Sequence, residues 1–388
     1  MTAGRTMLLV VHTGRPAARR AGQVVAQRLL AAGVALRVLE PEAADLGHPA
    51  AAVVPVSPAA AAGTEMVTVV GGDGTLLRAA ELARGAGVPL LGVNLGHVGF
   101  LAEAEPGDLS DAVDQVVAGE YSVEERMTVD VTVRVNGTVL ARTWALNEAT
   151  VEKAARERMI DVVVEVDGRP LSRFGCDGVV FATPTGSTAY AFSAGGPVVW
   201  PEVEAVLMVP ICAHALFAGP MVVSPRSVLA AELISTEVMR PDLAGTVLAS
   251  TAAVGTAVAG TAAAGTAAAS AGGQSDVSGA VLWCDGRRKV DLPPGARVEV
   301  RRGTRPVLLA RLRPSAGRAG AGQVGAPFTD RLVEKFGLPV AGWRGRGAAS
   351  RQGAAGSAAS QDGTVGRDGT VSQDGTVSRE DEEPGGDA

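Results

Sequence analysis

Lysine is nearly absent from this chain of 388 residues. Of 35 basic residues only Lys153, Lys289 and Lys335 are lysines, and they follow Glu152, Arg288 and Glu334. A Walker A loop, which needs Gly-Lys-Ser/Thr, is therefore excluded. No Gly-x-Gly-x-x-Gly follows the first apolar run, which excludes the fingerprint of a hydride-transfer cofactor. Aromatic residues are few, at 3%. Cysteines are three, scattered and without a Cys-x-x-Cys spacing (Cys176, Cys212, Cys284). That leaves neither a zinc motif nor a disulfide framework and predicts reduced thiols in a cytoplasmic setting. The opening MTAGRTMLLVVHTGRP has an apolar run too short for a signal peptide.

Net charge is missing from most of the chain as well. The formal net charge is -6, and residues 361–388 hold eight acids against Arg367 and Arg379, so the tail carries the whole excess. The neutral remainder offers no basic footprint for nucleic acid and no stripe for a membrane surface. From Leu243 to Ser275 no residue is charged, yet Ala, Gly and Thr dominate and Leu, Ile and Phe are too sparse for a transmembrane helix. The segment at about 243–278 reads as a flexible low-complexity insertion, and residues 346–388 as a disordered acidic tail.

What is present is order of two kinds. Apolar runs at 7–12, 34–39, 65–70 and 88–94 alternate with helical stretches at 16–32, 76–84 and 106–119. Such βα repetition predicts a parallel sheet. Near residue 126 the period changes. The stretches 127–135 and 160–166 alternate apolar and polar and end in Asn136-Gly137 and Asp167-Gly168, both hairpin signals. Further strands are expected at 179–182, 206–209, 281–284 and 297–300. The fold class is thus an α/β N-terminal domain (parallel sheet, Rossmann-like) with an all-β second domain of β-sandwich type.

The most informative stretch is Gly71-Gly72-Asp73-Gly74-Thr75, placed between an apolar strand and a helix. Glycines let peptide N–H groups approach a phosphate closely, and the helix N-terminus adds its dipole. Asp73 sits inside this cradle, where its charge opposes phosphate. Two roles fit it: a general base taking a proton from an attacking hydroxyl, or an ordinary helix N-cap. The Asp-Gly-Thr triplets at Asp362, Asp368 and Asp374 lack the strand and helix and read as linker repeats. Ser193 in AFSAG mimics a nucleophile elbow, but Gly196-Pro197 stands where the elbow needs a helix.

The blocks GGDGTLLRAAE (71–81), GVNLGHVGFLAE (92–103), LNEATVEK (146–153), FGCDGVVFATPTGSTAYAFSAGGPVV (174–199) and CDGRR (284–288) resemble, in order, the signatures of NAD kinases. The stretch 326–345 resembles the C-terminal end of actinobacterial members. The resemblance implies phosphoryl transfer from ATP, or polyphosphate, to the 2′-hydroxyl of the adenosine ribose of NAD. It makes Asp73 the base and assigns nucleotide contacts to Gly71, Gly72, Gly74, Thr75, Arg78, Asn147, Glu148, Arg158 and Asp177. The turn Thr188, Ala189, Tyr190, Ala191, Phe192 and Ser193 would bind substrate, with His214 beside it. Local readings stay open: a strand-end turn at Asn147-Glu148, a solvated Arg158, an Asx-turn at Asp177, and core roles for Tyr190 and His214. Asn147 would pair with an adenine edge and the Glu148 carboxylate would accept ribose hydroxyl protons. Mg²⁺, or another divalent cation, would arrive with the phosphate donor, since no carboxylate or histidine cluster has ligand spacing. The implied architecture is residues 1–125 as kinase domain, 126–325 as NAD-binding domain and 326–345 returning to the first. A homodimer or homotetramer is expected.

Overall fold

A computed structural model describes residues 4–94, 99–102, 109–154, 158–215, 218–234, 279–313 and 328–339. The insertion and acidic tail expected at 243–278 and 346–388 lie outside them. The chain forms two units, Met1–Leu338 and Pro339–Ala388, and all elements below belong to the first.

The first sheet has seven strands: β1 (Thr6–Val11), β2 (Ala35–Leu39), β3 (Ala52–Val54), β4 (Met66–Val70), β5 (Leu90–Val93), β6 (Tyr121–Arg126) and β19 (Val307–Leu312). Their order is β3-β2-β1-β4-β5-β19-β6. Strands β1 to β5 and β19 run parallel, and β6 pairs antiparallel with β19 at one edge. The strand runs are continuously apolar because both faces are covered. Met7, Leu9 and Val11 of β1 pack with helices α1 (Pro16–Ala31) and α4 (Leu109–Ala118). Leu8 and Val10 pack on the opposite face with α3 (Asp73–Ala83). Between them α2 (Glu40–Leu46) follows β2 directly.

Strands β7 (Val129–Val135), β8 (Thr138–Ala145), β10 (Ile160–Val166), β11 (Arg169–Cys176), β15 (Leu229–Leu233) and β18 (Ala296–Arg302) form one antiparallel sheet. A second comprises β9 (Glu148–Lys153), β12 (Gly178–Ala182), β13 (Val206–Ile211), β14 (Met221–Val223), β16 (Ala280–Cys284) and β17 (Arg288–Leu292). Val131, Val162 and Val298 from the first meet Val151, Phe181 and Leu282 from the second in one core. This face-to-face packing makes a β-sandwich. The hairpin turns form where expected: Asn136 and Gly137 have φ 49° and 79°, Asp167 and Gly168 52° and 76°. A short helix α5 (Tyr190–Ser193) follows β12, and α6 (Phe328–Phe336) closes the described chain.

One strand differs from the sequence reading. Residues 307–312 fall within the stretch assigned to the β half, but β19 inserts between β5 and β6 of the first sheet. An apolar run flanked by Arg305 and Arg313 carries no mark of which sheet will accept it. Among the described residues no helix is long and apolar enough to cross a membrane.

Candidate active site

The parallel sheet reverses its winding between β1 and β4, since β2 and β3 extend one way from β1 and β4 and β5 the other. Ligands bind at the carboxyl ends of strands at such a point. A cavity of about 530 Å³ opens there, bounded by the loop His12–Arg15 after β1, Glu42 of α2, the glycine loop and Arg287.

The glycine loop is built for close approach. A Cβ on Gly71 would stand 2.5 Å from Thr75 Oγ1, so no larger residue fits under the first turn of α3. Gly72 is the N-cap, and no side chain caps this helix. The helix starts at Asp73, not at Leu76, and the capping role for Asp73 is thereby removed. Its carboxylate instead accepts long hydrogen bonds from the Phe100 and Leu101 N–H groups, both at 3.4 Å. Gly99 makes this possible, since a Cβ there would stand 2.5 Å from Asp73 Oδ1. Gly72, Gly74 and Thr75 line the cavity, as does Arg78 one turn on. Arg78 donates to the Val11 carbonyl at 3.3 Å and to the Glu42 carboxylate. Glu42 is buried and also accepts the Val11 N–H at 2.7 Å. Burial pushes its carboxyl above the usual range, opposed by the Val11 N–H and Arg78.

A second corner forms where β8 meets β9. Asp285, in the β16–β17 turn, is buried, and its carboxylate accepts the Leu146 N–H at 3.0 Å and the Asn147 N–H at 2.7 Å. Arg288 donates to the same carboxylate at 2.6 Å. Thr183 holds the opposite side, its hydroxyl donating to the Leu146 carbonyl at 2.6 Å and its N–H to the Asn147 carbonyl at 2.9 Å. Asn147 and Glu148 are thus fixed and buried. Glu148 Oε2 has no hydrogen-bond partner. Burial, reinforced by the Asp285 charge and opposed by the Tyr190 N–H, pushes the Glu148 carboxyl up to about 8. Burial thus favours its protonated form, whereas the sequence reading expects a carboxylate. Glu148 borders a second cavity, about 280 Å³, with Thr150, Tyr190 and Trp283.

The two corners are tied together. Glu81 of α3 pairs with Arg287, which lines the first cavity, at 3.0 Å. Neighbouring Arg288 holds Asp285 and lies 4.3 Å from the Trp144 ring centre, with Arg84 at 4.4 Å. These partners, Asp285 above all, were not read as site residues from the sequence. Asp285-Gly286 has the same turn conformation as the other two hairpins, with φ 54° and 63°. That signal was present in the sequence; the burial of its acid was not.

The remaining expected residues divide. Tyr190 is exposed and lines the Glu148 cavity, so it is not a core residue. Thr188 closes a 3₁₀ turn, Thr185–Thr188, and Ala189 caps α5. The Ala191 side chain is fully buried among Val180, Leu207 and Val209, which is a packing role. The Phe192 ring lies 4.5 Å from that of Phe336, whereas Ser193 is exposed. Asp177 pairs with Lys153 at 2.6 Å. His214 is exposed and bridges Gly175 through its backbone, so it is not a core histidine. Arg158 stands exposed before β10, apart from both cavities as described.

Residues 8–121 match the family model of the ATP-NAD kinase N-terminal domain, and residues 146–244 that of the ATP-NAD kinase C-terminal domain. The chain is 56% identical over 346 residues to NAD kinase 2 of Streptomyces avermitilis, covering 89% of this chain and 98% of that protein. It is 53% identical over 361 residues to the NAD kinase of Thermobifida fusca, covering 91% and 95%. Among solved structures it shares a fold with yeast NADH kinase complexed with NADH, at TM-score 0.66 and 20% identity over 88% of this chain and 89% of that one. An Archaeoglobus fulgidus NAD kinase in complex with ATP superposes with TM-score 0.52 at 24% identity, covering 79% and 92%.

Proposed function

The chain belongs to the NAD kinase family and is an NAD kinase, and we propose that Asp73 is the base of its reaction. In this reading the Asp73 carboxylate takes the proton of the 2′-hydroxyl of the adenosine ribose as that oxygen attacks the γ-phosphorus of ATP. The ADP oxygen leaves on the opposite side. A loose transition state asks more of orientation than of basicity, which suits a carboxylate aimed by two backbone amides.

The observation that carries the reading is that Asp73 opens α3 between Gly72 and Gly74 of the cavity lining without capping the helix, and that its carboxylate, which is not itself part of that lining, is turned to the Phe100 and Leu101 N–H groups. The donor phosphates fit the cavity of about 530 Å³, facing the free N–H groups of the α3 N-terminus and the guanidinium groups of Arg78 and Arg287. Among the described residues that lining includes no Phe, Tyr or Trp, which suits phosphates more than a base, and polyphosphate fits it as a donor too. NAD would place its adenosine end at the second corner. There Asn147 offers an amide to the adenine edge, and Glu148 as an acid can donate one hydrogen bond to a ribose hydroxyl and accept another. Tyr190 supplies a ring face.

Among the described residues no group of three or more His, Cys, Asp or Glu could hold a metal ion. A divalent cation such as Mg²⁺ would arrive with the donor and offset charge on its phosphates, as phosphoryl transfer from a nucleotide commonly requires. Assembly into a homodimer or homotetramer is supported by exposed Leu140, Leu171 and Val222 on the edge strands β8, β11 and β14.

The test is to incubate the protein with NAD, Mg²⁺ and either ATP or polyphosphate, and to locate the new phosphate by phosphorus NMR. NADP phosphorylated at the 2′ position is expected. A phosphate on any other hydroxyl would refute the assignment.

A further inference from the structure

We infer that Arg331 is a positioning residue for Asp73, acting through the backbone of residues 99–102; the inference rests on Asp73 being the base. Helix α6 is amphipathic, and Arg331 is its buried residue, 5% exposed. Burying a guanidinium is costly unless its donors are satisfied. Here Nη1 donates to the carbonyls of Ala102 and, at 3.4 Å, Phe100. The N–H groups of Phe100 and Leu101 in the same stretch point to the Asp73 carboxylate. One short run of backbone therefore lies between a cation that takes its carbonyls and an anion that takes its amides. Each charge orients the peptide groups for the other. Because Gly99 brings this run against Asp73 Oδ1, a small shift of the loop moves the base.

The aromatic residues of α6 extend the arrangement. Phe328 and Phe336 pack on Phe100, with ring centres 5.5 and 6.1 Å apart. Phe336 also meets Phe192 at 4.5 Å, and Phe328 meets Trp200 at 5.2 Å. Phe192 lies two residues from Tyr190, which lines the Glu148 cavity. The same helix thus spans from the loop that aims the base to the turn that faces the acceptor. A purely structural anchor would need the rings but would not need its one buried cation aimed at the carbonyls of the base's loop.

The test is a double-mutant cycle in the full chain. Arg331→Met and Arg331→Lys are measured alone and with Asp73→Asn, reading kcat, both KM values and NAD affinity by calorimetry. Misaiming a reacting group by about 1 Å costs ~10²-fold, so Arg331→Met is expected to lower kcat by ~30–100-fold with each KM within ~3-fold. In the Asp73→Asn background that loss should vanish, because the aimed group is gone. Arg331→Lys, which keeps a cation and a donor, should recover part of the rate in the Asp73 background. A kcat for Arg331→Met within twofold of wild type, or the same fold loss in both backgrounds, overturns the positioning role. If Arg331→Met does not fold, Arg331→Lys decides by the same comparison. Near-wild-type turnover of Asp73→Asn alone would instead overturn the base assignment, and this inference with it.

Discussion

The two corners of this site solve opposite electrostatic problems with opposite materials. The glycine-loop corner presents backbone N–H groups, Arg78 and Arg287 around an open cavity, and its one deeply buried acid, Glu42, is tied to Arg78. The Asn147-Glu148 corner buries two acids side by side, Asp285 and Glu148, and lets a single arginine, Arg288, reach one of them. In the proposed reading, phosphate is met by backbone partial charges and by two arginines that acid partners hold in place, Arg78 by Glu42 and Arg287 by Glu81. In the proposed reading, hydroxyl recognition falls to Glu148, whose Oε2 has no hydrogen-bond partner in the free protein. Residue type alone does not separate the two corners, since both hold buried acids beside arginines; what differs is that Glu42 is ion-paired and Glu148 Oε2 has no partner.

The comparison can be broken at several places. Asp73→Asn keeps the shape of the glycine corner and removes the base, and should lower kcat by ~10²–10⁴-fold while NAD still binds; unchanged turnover would return the residue to a structural role. Asp285→Ala removes the 2.6 Å partner of Arg288, leaving it the longer contact to Glu81 at 3.9 Å, and frees two buried N–H groups. It should cost about 3 kcal/mol or more of unfolding free energy in denaturant titrations, together with NAD affinity. A variant as stable as wild type would mean that the turn holds itself.

Glu148 sharpens the contrast through pH. Burial and the Asp285 charge push its carboxyl up to about 8 in the folded protein, from an ordinary value of 4.5. The folded state therefore holds a proton that the unfolded chain releases first. Stability from this group is complete below the unfolded value and is lost as pH rises toward 8. Relative to Glu148→Gln, wild type should lose on the order of 4 kcal/mol between pH 5 and pH 9, read as diverging melting temperatures; parallel curves would contradict the burial argument. The smallest effect belongs to the glycine corner. Arg78→Met should raise the KM for ATP by about tenfold, one lost charge-assisted contact, and leave the KM for NAD unchanged. A change in the NAD term alone would place Arg78 at the other corner.

Much of the fold was legible because its signals are local. The apolar runs of β1 and β4, the helix from Pro16 and the turns at Asn136-Gly137 and Asp167-Gly168 each follow from a few neighbouring residues. The glycine loop was legible for the same reason. What escaped depends on distant partners. Nothing beside Val307–Leu312 says that β19 will cross back to the first sheet. Nothing in CDGRR says that its aspartate will reach across to the amides of Leu146 and Asn147. Glu148 was expected as a carboxylate because its neighbours in the chain look ordinary. Its proton is kept by burial and by Asp285, far along the sequence.

The most direct measurement is a crystal structure with NAD and a non-hydrolysable ATP analogue bound. The account predicts an Asp73 carboxylate oxygen within hydrogen-bonding distance, about 2.6–3.2 Å, of the ribose 2′-oxygen, with the γ-phosphate lying over the α3 N-terminus. A dinucleotide seated elsewhere, or a 2′-oxygen out of reach of Asp73, would contradict it.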